Sequence, residues 1–267
     1  MKKKIKVYTY HKSGSMFLYR YFKEISILNN INYFSSNNTH EFINSTLDKF
    51  KIKMRRDKKY ENNKSNKMIC PIRECPIGCE EDTLYIIHFR NPIDILISEY
   101  YSFGYTHAIP NKTKGGTRKF LKRREKIQSQ TVSEYCNDIN NIKEINNKFD
   151  SLLTWIKKYG KRKNVFLSNY DSMFYKFKSW NNKIHQFLNF NCSNNIHELF
   201  YSEFDFNKDY DKSLSEEILN IKNISNGNKY HKRSGVSKQY LFELNKKSLF
   251  FLPKNLSTKI IEFFNPF

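Results

Sequence analysis

The sequence predicts an α/β fold, a three-layer sandwich around a central and mainly parallel sheet. Three observations predict it. Short β-rich runs alternate with segments of helical periodicity. One run, Thr83–Phe89 (TLYIIHF), is nearly all apolar, as a strand covered on both faces would be. The residues that carry chemistry fall just past the strand ends, where open α/β sheets bind ligands.

Each element has its own warrant. Ile5–Tyr10 is a β-rich hexapeptide that runs into His11-Lys12-Ser13-Gly14-Ser15. Met16–Ile25 follows as a helix, with Phe17, Tyr21 and Ile25 spaced by four. Thr83–Phe89 is the second strand. Arg90-Asn91-Pro92 comes next, and then a helix from Ile93 to about Phe103. Pro92 suits the first turn, where its missing N–H would have no partner anyway. Asn164–Leu167 is a third strand, ending in Ser168-Asn169-Tyr170-Asp171 and flanked by helical stretches at Phe149–Tyr159 and Trp180–Leu188. Asn62–Asp82, with two prolines and three cysteines, reads as a loop. So does Ala108–Gln130, with Pro110, Gly115-Gly116 and a dense basic run. Both are expected as insertions, near 62–82 and 108–130, over one domain spanning 1–267.

Composition narrows the class. The chain has 267 residues, enough to bury a sizeable core. Aromatics at 16% argue against disorder. No apolar run approaches the roughly 18 residues of a membrane span. The basic start lacks the apolar run of a signal peptide, so a soluble, cytoplasmic protein is expected. Five cysteines are an odd number and form no secreted disulfide framework. Lys plus Arg is 47 against 26 for Asp plus Glu, a formal charge of +21. The excess fits either a solvated basic surface, with Lys, Asn and Ile all abundant, or attraction to anions such as nucleotides, acidic glycans or nucleic acid.

Two motifs carry the chemistry. In Tyr10–Phe17 a strand turns through one glycine into a helix, which aims backbone N–H groups and the positive end of the helix at one point. Lys12 adds a full charge, and Ser13 and Ser15 add hydroxyls; a phosphate or sulfate suits this geometry. The nucleotide P-loop pattern G-x-x-x-x-G-K-[ST] is not met. In the second motif Arg90 sits where the strand ends, and Ser98 lies eight residues on, about two helical turns. A forked guanidinium and a hydroxyl can together hold a phosphate.

Together these resemble the sulfotransferase family that uses 3′-phosphoadenosine 5′-phosphosulfate (PAPS). The first motif is similar to the family's 5′-phosphosulfate loop, with Lys12 on its lysine. The second is similar to its 3′-phosphate site, R-N-P-x-D-x-x-x-S-x-Y-Y, at Arg90, Asn91, Pro92, Asp94, Ser98, Tyr100 and Tyr101. The separation of 78 residues between Lys12 and Arg90 is also close to the family's. The resemblance spans about Ile5 to Tyr240 and implies a P-loop nucleoside-triphosphate-hydrolase-like sulfotransferase fold. It implies a donor site of Lys12, Ser13, Gly14, Ser15, Met16, Phe17, Arg90 and Ser98, with Phe17 stacking on adenine. Asn169-Tyr170-Asp171-Ser172-Met173 resembles the family's Y-E-D-M stretch, which places Tyr170 at the adenine edge. Arg233-Ser234-Gly235-Val236-Ser237-Lys238-Gln239-Tyr240 resembles R-K-G-x-x-G-D-W and implies Arg233 and Gly235 on the 3′-phosphate. Lys238 replaces a glycine there, Gln239 an aspartate and Tyr240 the tryptophan.

The implied reaction moves a sulfuryl group from PAPS to a hydroxyl or amine of a small molecule or glycan, leaving adenosine 3′,5′-bisphosphate (PAP). Lys12 is its catalytic residue, and no metal is required. A general base takes the acceptor's proton. The family's strand histidine is missing from Lys67-Met68-Ile69-Cys70-Pro71, so the candidates are His40, Glu41, His107 and His88. Cys70, Cys75 and Cys79 have no usual zinc spacing and read as loop thiols, with metal or a local disulfide as alternatives. Three other functions stay open at this point: a kinase-like enzyme, a nucleotide-binding pseudoenzyme, and a basic nucleic-acid-binding protein. No nucleic-acid motif supports the last.

Overall fold

A computed structural model describes residues 4–35, 66–107, 109, 114–190, 194–203, 212–219 and 238–264. In chain order these form β1 (Lys4–Thr9), α1 (Ser15–Leu28), β2 (Asn32–Phe34), β3 (Lys67–Ile72), β4 (Thr83–Phe89) and α2 (Pro92–Tyr101). A π-helical turn (Ser102–Thr106) follows, then α3 (Lys114–Gln128), α4 (Val132–Asn137), α5 (Ile139–Tyr159), β5 (Val165–Asn169), α6 (Tyr170–Tyr175) and α7 (Phe177–Leu188). The remainder is α8 (Asn194–Glu203), α9 (Lys212–Leu219), α10 (Tyr240–Glu243), α11 (Lys246–Asn255) and α12 (Thr258–Phe264). They fall into two compact units that interleave along the chain, Met1–Phe89 with Trp155–Phe204 and Arg90–Thr154 with Asp205–Phe267.

The first unit carries the sheet. Its strands run β2-β3-β1-β4-β5 and every pair is parallel. Successive strand residues point to opposite faces, and both faces are covered. On one, Tyr8 stacks on Tyr85 and Trp155 of α5 packs 5.7 Å from Tyr85. On the other, α1 turns Leu18, Tyr21, Phe22 and Ile25 inward. Trp180 of α7 meets His88 there. Phe17, Tyr21, Phe177, Trp180 and Phe200 form one aromatic cluster, with ring centroids 4.9–6.2 Å apart. Burying each such ring stabilises the fold by about 1.5–3 kcal/mol. The polar tips are satisfied inside: Tyr21 Oη donates to Asn181 Oδ1 at 2.6 Å, and Trp180 Nε1 donates to Ser168 Oγ at 2.7 Å.

The expected insertion at Asn62–Asp82 needs correction, because β3 lies within it, between β2 and β1. Pro71 disguised the strand. The β1–β3 register steps from Lys6↔Ile69 to Tyr8↔Ile72, so β3 holds one extra residue over that stretch. Pro71 falls in this irregularity, where the ladder needs no N–H from it.

The second unit is helical. Asn91 caps α2 by accepting the Ile93 N–H at 2.9 Å, and Pro92 takes the first turn. Thr131 and Glu134 form a reciprocal capping box on α4. The expected loop at Ala108–Gln130 is also corrected: Lys114–Gln128 is a helix. Its inward face is partly polar, which hid the periodicity. Arg124 Nε donates to the Phe103 carbonyl at 3.1 Å and its Nη2 to that of His107; Gln128 Nε2 donates to the Gly104 carbonyl at 2.9 Å. These bonds satisfy carbonyls that the π-turn leaves open. Among the described residues no helix is long and apolar enough to cross a membrane.

Two outcomes follow. A Cβ at Gly104 would sit 2.8 Å from Ile127 Cγ2. Gly104→Ala should therefore destabilise the protein by about 1–3 kcal/mol through overpacking, read as a lower Tm. Glu80 Oε2 accepts from Lys4 Nζ at 2.6 Å, and Oε1 from Lys6 Nζ at 3.1 Å. The Lys4 hydrogen bond is the main cause that holds the Glu80 carboxyl down to about 2, below its ordinary 4.5. Burial still leaves the Lys6 ammonium below its usual value, so Lys4 is the stronger partner. A depressed carboxyl stabilises the fold above its unfolded pKa and loses that contribution as pH falls. Urea melts should show it disappearing between pH 4.5 and 2 in the wild type but not in Glu80→Gln. Solvent exposure keeps the effect below about 1 kcal/mol.

Candidate active site

In the first unit, β1 ends at Thr9 and α1 begins at Ser15. The turn between them needs two left-handed residues, Lys12 (φ 65°) and Gly14 (φ 78°). Gly14 suits its position twice over, because a Cβ there would meet Met173 Cε at 3.1 Å and Tyr170 Cε2 at 3.4 Å. Tyr170 and Met173 of α6 thus lie against the turn. Tyr170 is buried and stacks on Phe174. No acidic residue occupies the first turn of α1, and no side chain caps it. Ser13 is fully buried, and its hydroxyl has no hydrogen-bond partner among the described residues. Ser15 is buried, whereas Met16 is half exposed at 51%. Phe17 stands 7% exposed within the aromatic cluster.

Sequence reasoning missed Arg73, the first residue past β3. Its Nη2 donates to Ser15 Oγ at 3.1 Å. The signal was present, since a cation directly after a strand of a parallel sheet lies at the ligand-binding end, but the composition of Asn62–Asp82 reads as a loop and masks the strand's end.

In the second unit, Arg90 follows β4 directly and is 4% exposed. Ser98 lies on α2, half-buried. Asp94, fully buried, accepts the Lys238 N–H on Oδ2 and the Gln239 N–H on Oδ1, both at 2.7 Å. The acid of the Arg-Asn-Pro-x-Asp motif therefore clamps the end of the C-terminal motif, 144 residues away. Lys238, which stands where the family pattern has glycine, holds φ 57°. The left-handed backbone that glycine serves is kept despite the substitution. Arg233 and Gly235 lie outside the described residues.

The base candidates have different surroundings. His88 is 1% exposed, with Nδ1 2.8 Å from Ser168 Oγ. His107 is half-buried between the rings of Phe103 and Phe120, each 5.7 Å away. His40 and Glu41 lie outside the described residues. Cys70, Cys75, Cys79 and Cys136 are free thiols. Burial pushes Cys75 up to about 11 and Cys70 well above its ordinary value, so neither is a thiolate at neutral pH. Among the described residues no three His, Cys, Asp or Glu side chains gather to hold a metal.

Comparison with known proteins bears on this arrangement. A family model described as "Sulfotransferase domain" matches residues 2–260. The chain belongs to the sulfotransferase domain family. Among solved structures, it is similar to the mouse sulfotransferase SULT7A1 complexed with PAP, at a TM-score of 0.59 and 15% identity. That match covers 98% of this chain and 86% of the mouse chain, and it supports the α/β fold with its parallel sheet. No curated protein matches the sequence. Membership in this family answers the kinase-like reading, which the sequence alone had left open.

The sulfotransferase's Asp94 clamp makes a direct prediction. Asp94→Asn keeps one oxygen acceptor and puts an amide where the second N–H points. Losing one charge-assisted bond should cost about 1.5–3 kcal/mol. Thermal melts read that loss, and hydrogen exchange should show Lys238 and Gln239 amides exchanging faster than in the wild type.

Proposed function

We propose that this sulfotransferase moves a sulfuryl group from PAPS to a hydroxyl or amine of its acceptor. The observation that carries the reading is the β1–α1 turn. Two left-handed residues, a buried serine hydroxyl with no partner among the described residues, a lysine, and a helix N-terminus without acids suit a bound oxyanion. These groups fit the 5′ end of the donor, and the reading gives them to it: Lys12, Ser13, Gly14, Ser15 and Met16, while Phe17 goes to the adenine as the family pattern implies. Tyr170, against Gly14, serves the adenine side. Arg90 and Ser98 serve the 3′-phosphate, joined by Arg233 and Gly235. One catalytic domain made of both units is part of this reading, because the family match runs across both.

The donor supplies an activated sulfuryl group. The chain's own groups then do three things. Lys12 and the N–H groups of the turn hold positive charge where negative charge builds on the departing phosphate. Arg90 and the turn fix orientation, which lowers the entropic cost of in-line transfer. A base removes the acceptor's proton. His88 is enclosed beside Ser168, so the reading assigns this task to His107 or to the His40–Glu41 pair.

Calorimetric titration tests the proposal. PAP should bind far more tightly than ATP. Lys12→Ala and Arg90→Ala should each weaken PAP by about tenfold or more, the worth of one charge-assisted contact. A wild type that does not bind PAP at moderate salt would overturn the reading.

A further inference from the structure

Arg73 is a cation in an unusual position. It follows β3, whose Ile72 pairs with Tyr8 of β1, so it stands level with the start of the β1–α1 turn. Its side chain is half-buried with Nε enclosed, and that burial pushes its pKa below the usual value. Among the described residues it bonds only Ser15 Oγ, and its Nε is buried without a partner. No carboxylate of the described residues lies in ion-pair range. A buried charge is ordinarily paired, because losing water is costly. Arg73 offers five donors in a fixed fork and one is used.

Its neighbour sharpens the point. Ser15 is the first residue of α1, whose first turn holds no acid. Ser13, two residues earlier, is fully buried, and its hydroxyl has no partner among the described residues. A forked cation and a helix N-terminus therefore meet at Ser15, with a buried hydroxyl two residues before it. Each of them is completed by the same thing, a tetrahedral oxyanion.

We propose that Arg73 is a further donor-binding residue, gripping the oxyanion at the 5′ end of the nucleotide, either the phosphate or the sulfuryl group it carries. This rests on the donor reading above. The Ser15 contact aims the fork, and the remaining N–H groups meet the anion. Bidentate contact of this kind favours arginine over lysine.

Titration of wild type, Arg73→Ala and Arg73→Lys with PAPS, PAP and adenosine 3′-monophosphate tests it. Adenosine 3′-monophosphate lacks the 5′ oxyanion, so its affinity should stay within about twofold, whereas Arg73→Ala should weaken PAPS by about tenfold or more. Arg73→Lys should fall between, keeping charge without the fork. If PAP weakens as much as PAPS, the contact is to the 5′-phosphate; if only PAPS weakens, it is to the sulfuryl group. Both support the proposal. Unchanged affinity for PAPS and PAP overturns it, as does equal loss for all three ligands, which would mark Arg73 as structural. Failure of the wild type to bind PAP sinks the donor reading and this proposal together, so the two failures are distinguishable. Should Arg73→Ala not fold, the Lys variant carries the same comparison.

Discussion

β1 is pinned along both edges and on one face, and the first unit depends on that. It pairs with β3 along one edge and β4 along the other, and Ile5 and Val7 are fully buried. It cannot slide or twist without moving every neighbour. The chain leaving Thr9 has five residues in which to reverse into α1, whose inward face is fixed by Leu18, Tyr21, Phe22 and Ile25. This reversal visits the left-handed region twice, at Lys12 and Gly14. The lysine accepts roughly 1–2 kcal/mol of backbone strain that glycine would not. Strain of this sort persists where the surroundings over-determine the backbone, and here the sheet below and Tyr170 and Met173 above do so.

The second unit solves a different problem. Its C-terminal motif comes far along the chain, and a distant segment is ordered only if something holds its backbone. Asp94 does this with two charge-assisted hydrogen bonds to consecutive amides. The carboxylate is buried, so it needs those partners as much as they need it. The same α2 that carries Ser98 thereby fixes where the later motif ends.

What could be read from the sequence follows the range of the forces involved. The β1 turn, the Arg90 helix start and the β5–α6 corner are local, and their glycine, proline and asparagine residues announce them. β3 went unread because Pro71 interrupts a short apolar run, and only the register with β1 shows that the interruption is absorbed by an irregularity. α3 went unread because Arg124 and Gln128 do the inward work that leucines do elsewhere, so its apolar stripe is thin. The Asp94 clamp joins residues 144 apart, and no spacing rule reaches that far. Arg73 depended on β3 and was lost with it. Phe17 was legible as a helix-face aromatic spaced by four from Tyr21, and its ring lies among Tyr21, Phe177, Trp180 and Phe200.

The left-handed turn also carries a thermodynamic consequence. With an acid-free helix start, a buried hydroxyl and strained backbone, the ligand-free chain keeps its stability below what the same sheet could support. Any anion that completes the turn binds the native state and not the unfolded one, so its concentration is linked to stability. The gain grows as RT ln(1 + [L]/Kd), about 2.7 kcal/mol at a hundredfold excess over Kd. On the donor reading proposed above, the folded fraction of this protein is itself a gauge of donor supply: a chain starved of donor sits closest to unfolding, and one saturated with it sits furthest away.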